Sequence, residues 1–243
     1  AATNGNGDKI ADAIRAIAAS VVPQNTTIDA EQVRTIVREE FAGIALRVVE
    51  VRQNGEVLGK VEGMTHPLFE RCLKLTAAGA NVLLVGPAGC GKTHMAAQIA
   101  QALNATYGAI HGSAGASESA LTGWLLPADG GKFEYVPAPF VSLYEQGESL
   151  FLFDELDAFD PNMLLVANGA LANGHMHIAH RKDAPCVTRG TNTRIMATAN
   201  TYGTGANPMY SGRSPLDAAT LDRFVVVTMD YDRRLEESIG TAG

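Results

Sequence analysis

The sequence predicts an α/β fold in which five parallel strands form one sheet covered by helices on both faces. Two observations support this prediction. Short, continuous apolar runs alternate with helical patterns, as expected for strands buried on both faces. The first of these runs leads directly into a glycine-rich turn and then a helix. The predicted strands cover residues 82–85, 107–111, 150–153, 194–199 and 224–229, and the helices between them cover 92–103, 140–146 and 161–172.

The N-terminal quarter of the chain has a different pattern. Apolar residues at helical spacing predict helices at 8–22 and 30–41, and a change to a period of two predicts a hairpin turning at Asn54-Gly55. A further amphipathic helix is predicted at 66–78, directly before the first strand of the sheet. We interpret residues 1–60 as a small accessory region and 61–232 as the main domain.

The glycine-rich turn has the sequence GPAGCGKT, residues 86–93, and fits G-x-x-x-x-G-K-[ST]. Glycines allow successive backbone N–H groups to point inward, and the following helix directs the positive end of its dipole at the same place. Both features suit a polyphosphate, with Lys92 at the β/γ-phosphates and the Thr93 hydroxyl on Mg²⁺. The predicted ATP-binding residues are Gly86, Pro87, Ala88, Gly89, Cys90, Gly91, Lys92, Thr93 and His94.

Two adjacent carboxylates follow the apolar run at 150–153. Asp154 lies where this strand leaves the core and is predicted to hold Mg²⁺ together with Thr93. Glu155 is predicted to activate a water molecule for in-line attack on the γ-phosphate. Asn200 ends the next strand and is a candidate for contacting that water or the phosphate, although it also suits a turn. Asp157 is interpreted as a surface carboxylate.

Two further segments interrupt the alternation. Residues 123–139 predict a hairpin turning at Asp129-Gly130-Gly131, with Trp124 and Phe133 among its strand residues, after a very short helix near 118–121. This insert suits either a contact with a partner or a simple surface flap. The segment HMHIAH, residues 175–180, is interpreted as polar hairpin residues rather than as a metal site.

A segment near the C-terminal end, residues 212–224, contains two arginines of interest. Ser214-Pro215 is predicted to open a helix that Arg223 closes. Arg223 is far from its own phosphate loop and is a candidate for reaching the nucleotide of a neighbouring subunit, with Arg213 as a second candidate. A simple interaction with the helix dipole explains Arg223 equally well.

The composition limits the class of protein. The 243 residues carry a net charge of −7, which argues against a broad nucleic-acid footprint, although a local basic stripe remains compatible with it. Three scattered cysteines predict neither zinc nor disulfides and suit a reducing cytosol. The sequence has no apolar run of membrane-spanning length, so we expect a cytoplasmic protein with no membrane contact.

Together these motifs resemble the AAA+ ATPases across residues 65–231. GPAGCGKT, LFLFDELDA, IMATANT and LDAATLDRF correspond in order to Walker A, Walker B, sensor 1 and the arginine-finger segment. The inserted hairpin and the phrase ATANTYGTG are similar to those of MoxR-like, dynein-related and CobS proteins, including phage-encoded relatives. The resemblance implies a ring, usually a hexamer, in which Arg223 acts in trans and the other site residues act in cis. It also implies that the hydrolysis cycle remodels a partner protein, often one with a von Willebrand A domain, or drives metal insertion.

One departure from the family pattern concerns the helical lid. We find no match to the family's lid after the last strand, so the sequence is interpreted either as a truncated piece or as an unusual lidless form. Residues 233–243 are then the start of a linker to the lid, and we expect weak nucleotide affinity and slow turnover of the chain as given. Residues 65–68, just before the phosphate-loop strand, are candidates for lining an adenine pocket. Two other functions stay open: a nucleic-acid motor or loader, and a nucleotide-gated scaffold that hardly hydrolyses ATP.

Overall fold

A computed structural model describes residues 49–53, 56–61, 63–113, 115–206, 208–210 and 213–240 of the chain. The helices expected at 8–22 and 30–41 lie outside these residues. The described helices are α1 (Phe69–Ala77), α2 (Lys92–Ala102), α3 (Ser119–Thr122), α4 (Pro139–Gln146), α5 (Pro161–Asn173), α6 (Ala218–Leu221) and α7 (Arg233–Gly240). The described strands are β1 (Val49–Gln53), β2 (Glu56–Val61), β3 (Val82–Val85), β4 (Thr106–His111), β5 (Trp124–Ala128), β6 (Lys132–Val136), β7 (Ser149–Asp154), β8 (His175–His177), β9 (Cys186–Thr188), β10 (Thr193–Ala199) and β11 (Val225–Thr228).

The five predicted strands form one parallel sheet, in the order β11-β3-β10-β7-β4. Successive side chains of a strand point to opposite faces, and here each face has its own core. Leu83, Phe151 and Ile195 pack on the face covered by α4 and α5, whereas Leu84 and Leu152 pack on the face covered by α1 and α2. The predicted fold class, a five-stranded parallel sheet flanked by helices, is therefore confirmed.

The predicted hairpin near residue 54 is formed by β1 and β2, which pair antiparallel. Val61 is fully buried, and a Cβ on Gly59 would lie 2.4 Å from the carbonyl oxygen of Ala102 at the end of α2. The hairpin therefore packs directly on α2 within the compact unit that begins at Leu46. The domain division at residue 60 stays a prediction.

The insert between α3 and α4 is a hairpin, as predicted. β5 and β6 pair antiparallel, from Trp124 opposite Val136 to Ala128 opposite Lys132. Gly130 and Gly131 adopt left-handed conformations, with φ of 75° and 73°, at the turn between the strands. The segment from His175 also forms a hairpin, because β8 pairs antiparallel with β9.

Two helices differ from the sequence-based boundaries. α1 begins at Phe69 rather than residue 66, because the backbone N–H of Leu68 bonds to the imidazole of His66 in a preceding turn. The helix expected from Ser214 to Arg223 is wrong in its first half, since only Ala218–Leu221 are helical. The N–H of Ser214 donates to the Asp157 carbonyl and Pro215 bridges to Thr204, so these residues form no helical turn.

Candidate nucleotide-binding site

The glycine loop connects β3 to α2 at the carboxyl edge of the sheet. Gly89 and Gly91 have φ of 84° and 91°, a left-handed conformation that glycine adopts without a steric penalty. A cavity of about 310 Å³ opens beside the loop. It is lined by Ala88, Gly89, Gly91, Lys92, Thr93, His94, Asp154, Glu155, Thr198 and Asn200. The structure thus brings the loop residues together with the predicted acids and amide.

Gly86 fixes the position of the loop relative to the last strand of the sheet. A Cβ at this residue would lie 1.7 Å from the carbonyl oxygen of Met229, which directly follows β11. The Cys90 thiol lies 3.6 Å from the same carbonyl oxygen and donates to it. Only glycine fits at residue 86 because the two backbones touch.

Lys92 is 7% exposed and extends its ammonium group across the loop. Its Nζ donates to the carbonyl oxygens of Gly86 and Pro87, at 2.9 and 2.8 Å, and to Oδ1 of Asn200, at 2.9 Å. These contacts hold a positive charge at the cavity. A lysine held in this way suits attraction of a phosphate group.

Thr93 and Asp154 meet at the cavity. The Thr93 hydroxyl lies 2.9 Å from Oδ1 of Asp154, and the Thr198 hydroxyl donates to the same oxygen at 2.6 Å. The imidazole of His111 lies 3.0 Å from Oδ2 of Asp154. A hydroxyl and a carboxylate side by side are hard oxygen ligands of the kind that Mg²⁺ requires, so these residues fit the expected ion.

Glu155 follows Asp154 but points differently, because its backbone is left-handed with φ 57° and ψ 54°. Its N–H donates to the Thr198 hydroxyl at 2.8 Å. Its Oε1 accepts from Nδ2 of Asn200 at 3.4 Å, and its Oε2 accepts from Nη1 of Arg213 at 3.1 Å. Asn200 therefore contacts both Lys92 and Glu155, which supports its predicted role at the site.

The interpretation of Asp157 as a surface carboxylate is wrong, because its side chain is fully buried. Its Oδ2 accepts from the backbone N–H groups of Asn200 and Thr201, at 3.1 and 2.9 Å, and from the Thr201 hydroxyl at 2.8 Å. Its Oδ1 lies 3.4 Å from Nη1 of Arg213. Donors from distant parts of the chain stabilise this buried charge.

The two arginine candidates lie in different places. Arg213 contacts Glu155 of its own chain, so the structure does not place it as a residue directed at a neighbouring subunit. Burial alone would lower the pKa of Arg213. The hydrogen bond to Glu155 and the negative charges of Asp157 and Glu155 have the larger combined effect, so the net pKa is raised. The guanidinium is therefore charged throughout the physiological range.

Arg223 lies just before β11, at the amino edge of the sheet, and is only partly exposed. Its Nη1 donates to the Ala219 carbonyl oxygen one turn earlier in α6, and its Nε is buried with no hydrogen-bond partner among the described residues. The four residues of β11 separate it from the edge that carries the phosphate loop, a distance of about 13 Å. Arg223 therefore does not contact the glycine loop of its own chain, and its role stays a prediction.

Several contacts at the site carry no clear sequence signal. The Tyr210 hydroxyl accepts from the Ala88 N–H at 3.0 Å, and the Tyr231 hydroxyl donates to the Ala88 carbonyl at 2.7 Å. Two distant tyrosines thus support the outer part of the loop. His66, within the adenine candidates 65–68, lies 3.2 Å from the carbonyl oxygen of Asp230, next to Tyr231. The adenine assignment stays a prediction.

A glycine loop, its lysine and a pair of carboxylates meet at the carboxyl edge of a parallel sheet. This is the place where open α/β sheets bind ligands, and the strand–loop–helix context is that of a phosphate-binding loop. Fold and site together define a P-loop nucleotide-binding protein.

Comparison with known proteins gives the family. The family model described as the AAA domain, dynein-related subfamily, matches residues 81–224, and the chain belongs to this family. It is therefore an AAA-family ATPase domain, as the motifs predicted. No helix in the described residues is long and apolar enough to cross a bilayer.

Relatives and solved structures show more distant similarity. YojN of Bacillus subtilis is 28% identical over 169 residues, which cover 68% of this chain and 52% of YojN. A Staphylococcus saprophyticus protein is 25% identical over 168 residues, covering 68% of this chain and 60% of that protein. The chain thus spans about half the length of these relatives. A crystal structure from Cytophaga hutchinsonii shares the fold, with a TM-score of 0.56, 20% identity and coverage of 72% of this chain and 49% of the other.

Proposed function

We propose that this domain hydrolyses ATP with Mg²⁺ and uses the cycle to remodel a partner protein or complex in the cytoplasm, as the MoxR- and CobS-like AAA+ proteins that it resembles do. The observation that carries the proposal is the convergence of Lys92, Thr93, Asp154, Glu155 and Asn200 on one cavity beside the glycine loop. This combination supplies a phosphate-binding cation, hard metal ligands and a base within one site.

Each side chain has a distinct role in the proposed reaction. Lys92 and the loop N–H groups bind the triphosphate, and Glu155 orients the attacking water. Asn200 links these two parts, since it contacts Lys92 and Glu155 at once. Thr93 and Asp154 would hold Mg²⁺, which when bound neutralises charge on the phosphate oxygens.

The assembly and partner belong to the proposal as well. We expect a ring, usually hexameric, in which Arg223 reaches the nucleotide of the adjacent subunit and stabilises transition-state charge. Its position away from its own phosphate loop supports this role. The exposed hairpin β5–β6 is the expected contact with the partner, often a von Willebrand A-type protein, and slow turnover of the chain as given stays a prediction.

Substitution of the proposed base tests the activity. Glu155→Gln removes the carboxylate while keeping the side-chain shape, so ATP should remain bound while phosphate release stops. Isothermal titration with ATP and a phosphate-release assay measure the two effects. Glu70→Gln in α1 is the matched control, because Glu70 is 75% exposed and its partner among the described residues is Lys74 on the same helix. Wild-type turnover in Glu155→Gln would contradict the proposed role.

A second candidate, a nucleic-acid motor or loader, is favoured by one groove. A groove of about 860 Å³ lies between the β5–β6 hairpin and residues 180–184. Its lining includes the basic residues Lys132, Arg181 and Lys182 and the aromatic residues Phe133 and Tyr135, but also Glu134 and Asp183. Basic and aromatic side chains together suit a nucleic-acid strand. DNA affinity that rises with ATP and falls steeply with salt would support this candidate.

A further inference from the structure

The strongest unassigned feature of the site is the contact of Arg213 with two acids of its own chain. Its Nη1 lies 3.1 Å from Oε2 of Glu155 and 3.4 Å from Oδ1 of Asp157. The Arg213 side chain is 13% exposed, that of Asp157 is fully buried, and that of Glu155 is 46% exposed. A buried carboxylate thus holds the guanidinium, and the guanidinium in turn holds a carboxylate that is half in solvent.

The backbone that follows Arg213 is hydrogen-bonded to Asp157 and to the loop after β10. The N–H of Ser214 donates to the carbonyl oxygen of Asp157 at 2.7 Å, and Pro215 forms a bridge with Thr204. The N–H of Leu216 donates to the Gly203 carbonyl oxygen at 3.1 Å. The segment that carries Arg213 is therefore bound to the turn that follows β7 and to the loop that follows β10. Glu155 lies in the first of these connections and Asn200 in the second.

Glu155 has little else to hold its side chain. Apart from Arg213, its carboxylate has one hydrogen bond among the described residues, the long 3.4 Å contact from Nδ2 of Asn200. A half-exposed glutamate with one weak contact samples several rotamers in solution. With Oε2 fixed by a charge-assisted bond, Oε1 stays on the side of Asn200 and therefore of Lys92.

We propose that Arg213 is a positioning residue that acts in cis, fixing the carboxylate of Glu155 in the orientation needed to activate water. The inference rests on the proposed ATPase function, because Glu155 is the proposed base. Asp157 serves as the buried anchor, since it binds Arg213 with one oxygen and the backbone of Asn200 with the other. The proposed base and the amide therefore depend on one buried carboxylate.

The first test separates positioning from substrate binding. Arg213→Gln should lower kcat by about 10²-fold, the cost of a misplaced catalytic group, while KM for ATP stays close to wild type because Arg213 makes no contact with the glycine loop. Arg213→Lys keeps the charge and should recover part of kcat. Wild-type kcat in Arg213→Gln, or a loss confined to KM, would overturn the inference.

A mixing experiment distinguishes action in cis from action in trans. Equal amounts of Glu155→Gln and Arg213→Gln chains should regain no phosphate release, because no chain then carries both residues of the pair. Glu155→Gln mixed with Arg223→Gln is the matched control and should regain activity, since Arg223 is proposed to serve a neighbouring site. Recovery in the Arg213 mixture would overturn action in cis.

The contact is also testable without turnover. A double-mutant cycle of Arg213→Gln and Glu155→Gln, measured by urea unfolding, should give a favourable coupling between the two residues. Additive effects would overturn the inference. A wild-type chain that releases no phosphate would contradict the proposed function instead, so the two failures are distinguishable.

Discussion

The carboxyl edge of the sheet and the β5–β6 hairpin use their side chains in opposite ways. At the edge, polar groups are buried and matched, as with Lys92, Asp154 and Asp157, which are 7%, 6% and 0% exposed. In the hairpin, large apolar groups face solvent, as with Phe133 at 69% and Leu126 at 46%. Buried polar groups are unusual and exposed apolar clusters are unusual, so both regions depart from an ordinary fold.

The difference indicates two kinds of functional constraint. Each of these three buried groups has several partners, and removing one group leaves its partners unsatisfied, so the geometry is rigid. One contact of the hairpin with the core is made by Tyr135, whose hydroxyl donates to the Thr122 carbonyl oxygen. A rigid site suits chemistry, and an exposed apolar element suits contact with another molecule.

The largest effect is expected at Asp157. Asp157→Ala removes the acceptor of several donors and leaves Arg213 without its buried anchor, so the free energy of unfolding should fall by about 3–5 kcal/mol. Urea denaturation measures the loss. Asp160→Ala is the control three residues along the chain. The Asp160 side chain caps α5 by accepting the Asn162 N–H, so its loss should cost about 0.5–2 kcal/mol. If Asp157→Ala and Asp160→Ala lost the same free energy of unfolding, Asp157 would not be the buried anchor that distinguishes the carboxyl edge from the hairpin.

Substitution of Lys92 tests whether the paired polar groups at the carboxyl edge of the sheet bind a ligand. Lys92→Ala removes the charge from the loop, so phosphate release at saturating ATP should fall by about 10²–10³-fold, as for loss of a preorganised donor. Lys74→Ala is the control, since Lys74 is 74% exposed and pairs with Glu70 on α1. Turnover close to wild type in Lys92→Ala would show that the edge is structural only.

Tyr135 tests the attachment of the hairpin. Tyr135→Phe keeps the ring but removes the hydrogen bond to Thr122, which should lower the free energy of unfolding by about 0.5–1.5 kcal/mol. Burial raises the pKa of Tyr135, so the hydroxyl stays protonated and the loss should be the same from neutral to mildly alkaline pH. An effect as large as that of Asp157→Ala would mean that the hairpin is part of the core.

The smallest effect is expected at the exposed hairpin surface. Phe133→Ser replaces a largely exposed aromatic ring and should change the free energy of unfolding by no more than about 0.5 kcal/mol. Thermal or urea unfolding measures it against wild type. A clear loss of stability would contradict the view that the apolar hairpin surface is free of the core.

Much of this architecture was predictable from local patterns. The strands of the sheet are apolar and bounded by turns, and the glycine loop has a fixed spacing, so neither depends on distant contacts. The hairpin from Trp124 to Val136 was predictable for the same reason, because its turn carries two successive glycines. The two acids at the carboxyl end of β7, Asp154 and Glu155, were predictable once the loop was recognised, since a parallel sheet brings its carboxyl ends together.

The residues that the sequence analysis placed wrongly, such as Asp157 and Arg213, are positioned by contacts with residues far along the chain. Asp157 is buried because donors more than 40 residues away reach it, and no local pattern around residue 157 reveals them. Arg213 is directed inward by the same acids. The predicted helix from Ser214 failed for a related reason, since its first N–H groups bond to Asp157 and Gly203 instead of continuing a helix.

The contact between Gly86 and Met229 has a mechanical consequence. Since the backbone after β11 touches the first residue of the phosphate loop, with room for nothing larger than hydrogen, neither segment can shift without displacing the other. Any force applied to the polypeptide downstream of Met229 is therefore transmitted to the triphosphate cradle. Conversely, a nucleotide that changes the conformation of the phosphate loop displaces the backbone that follows β11.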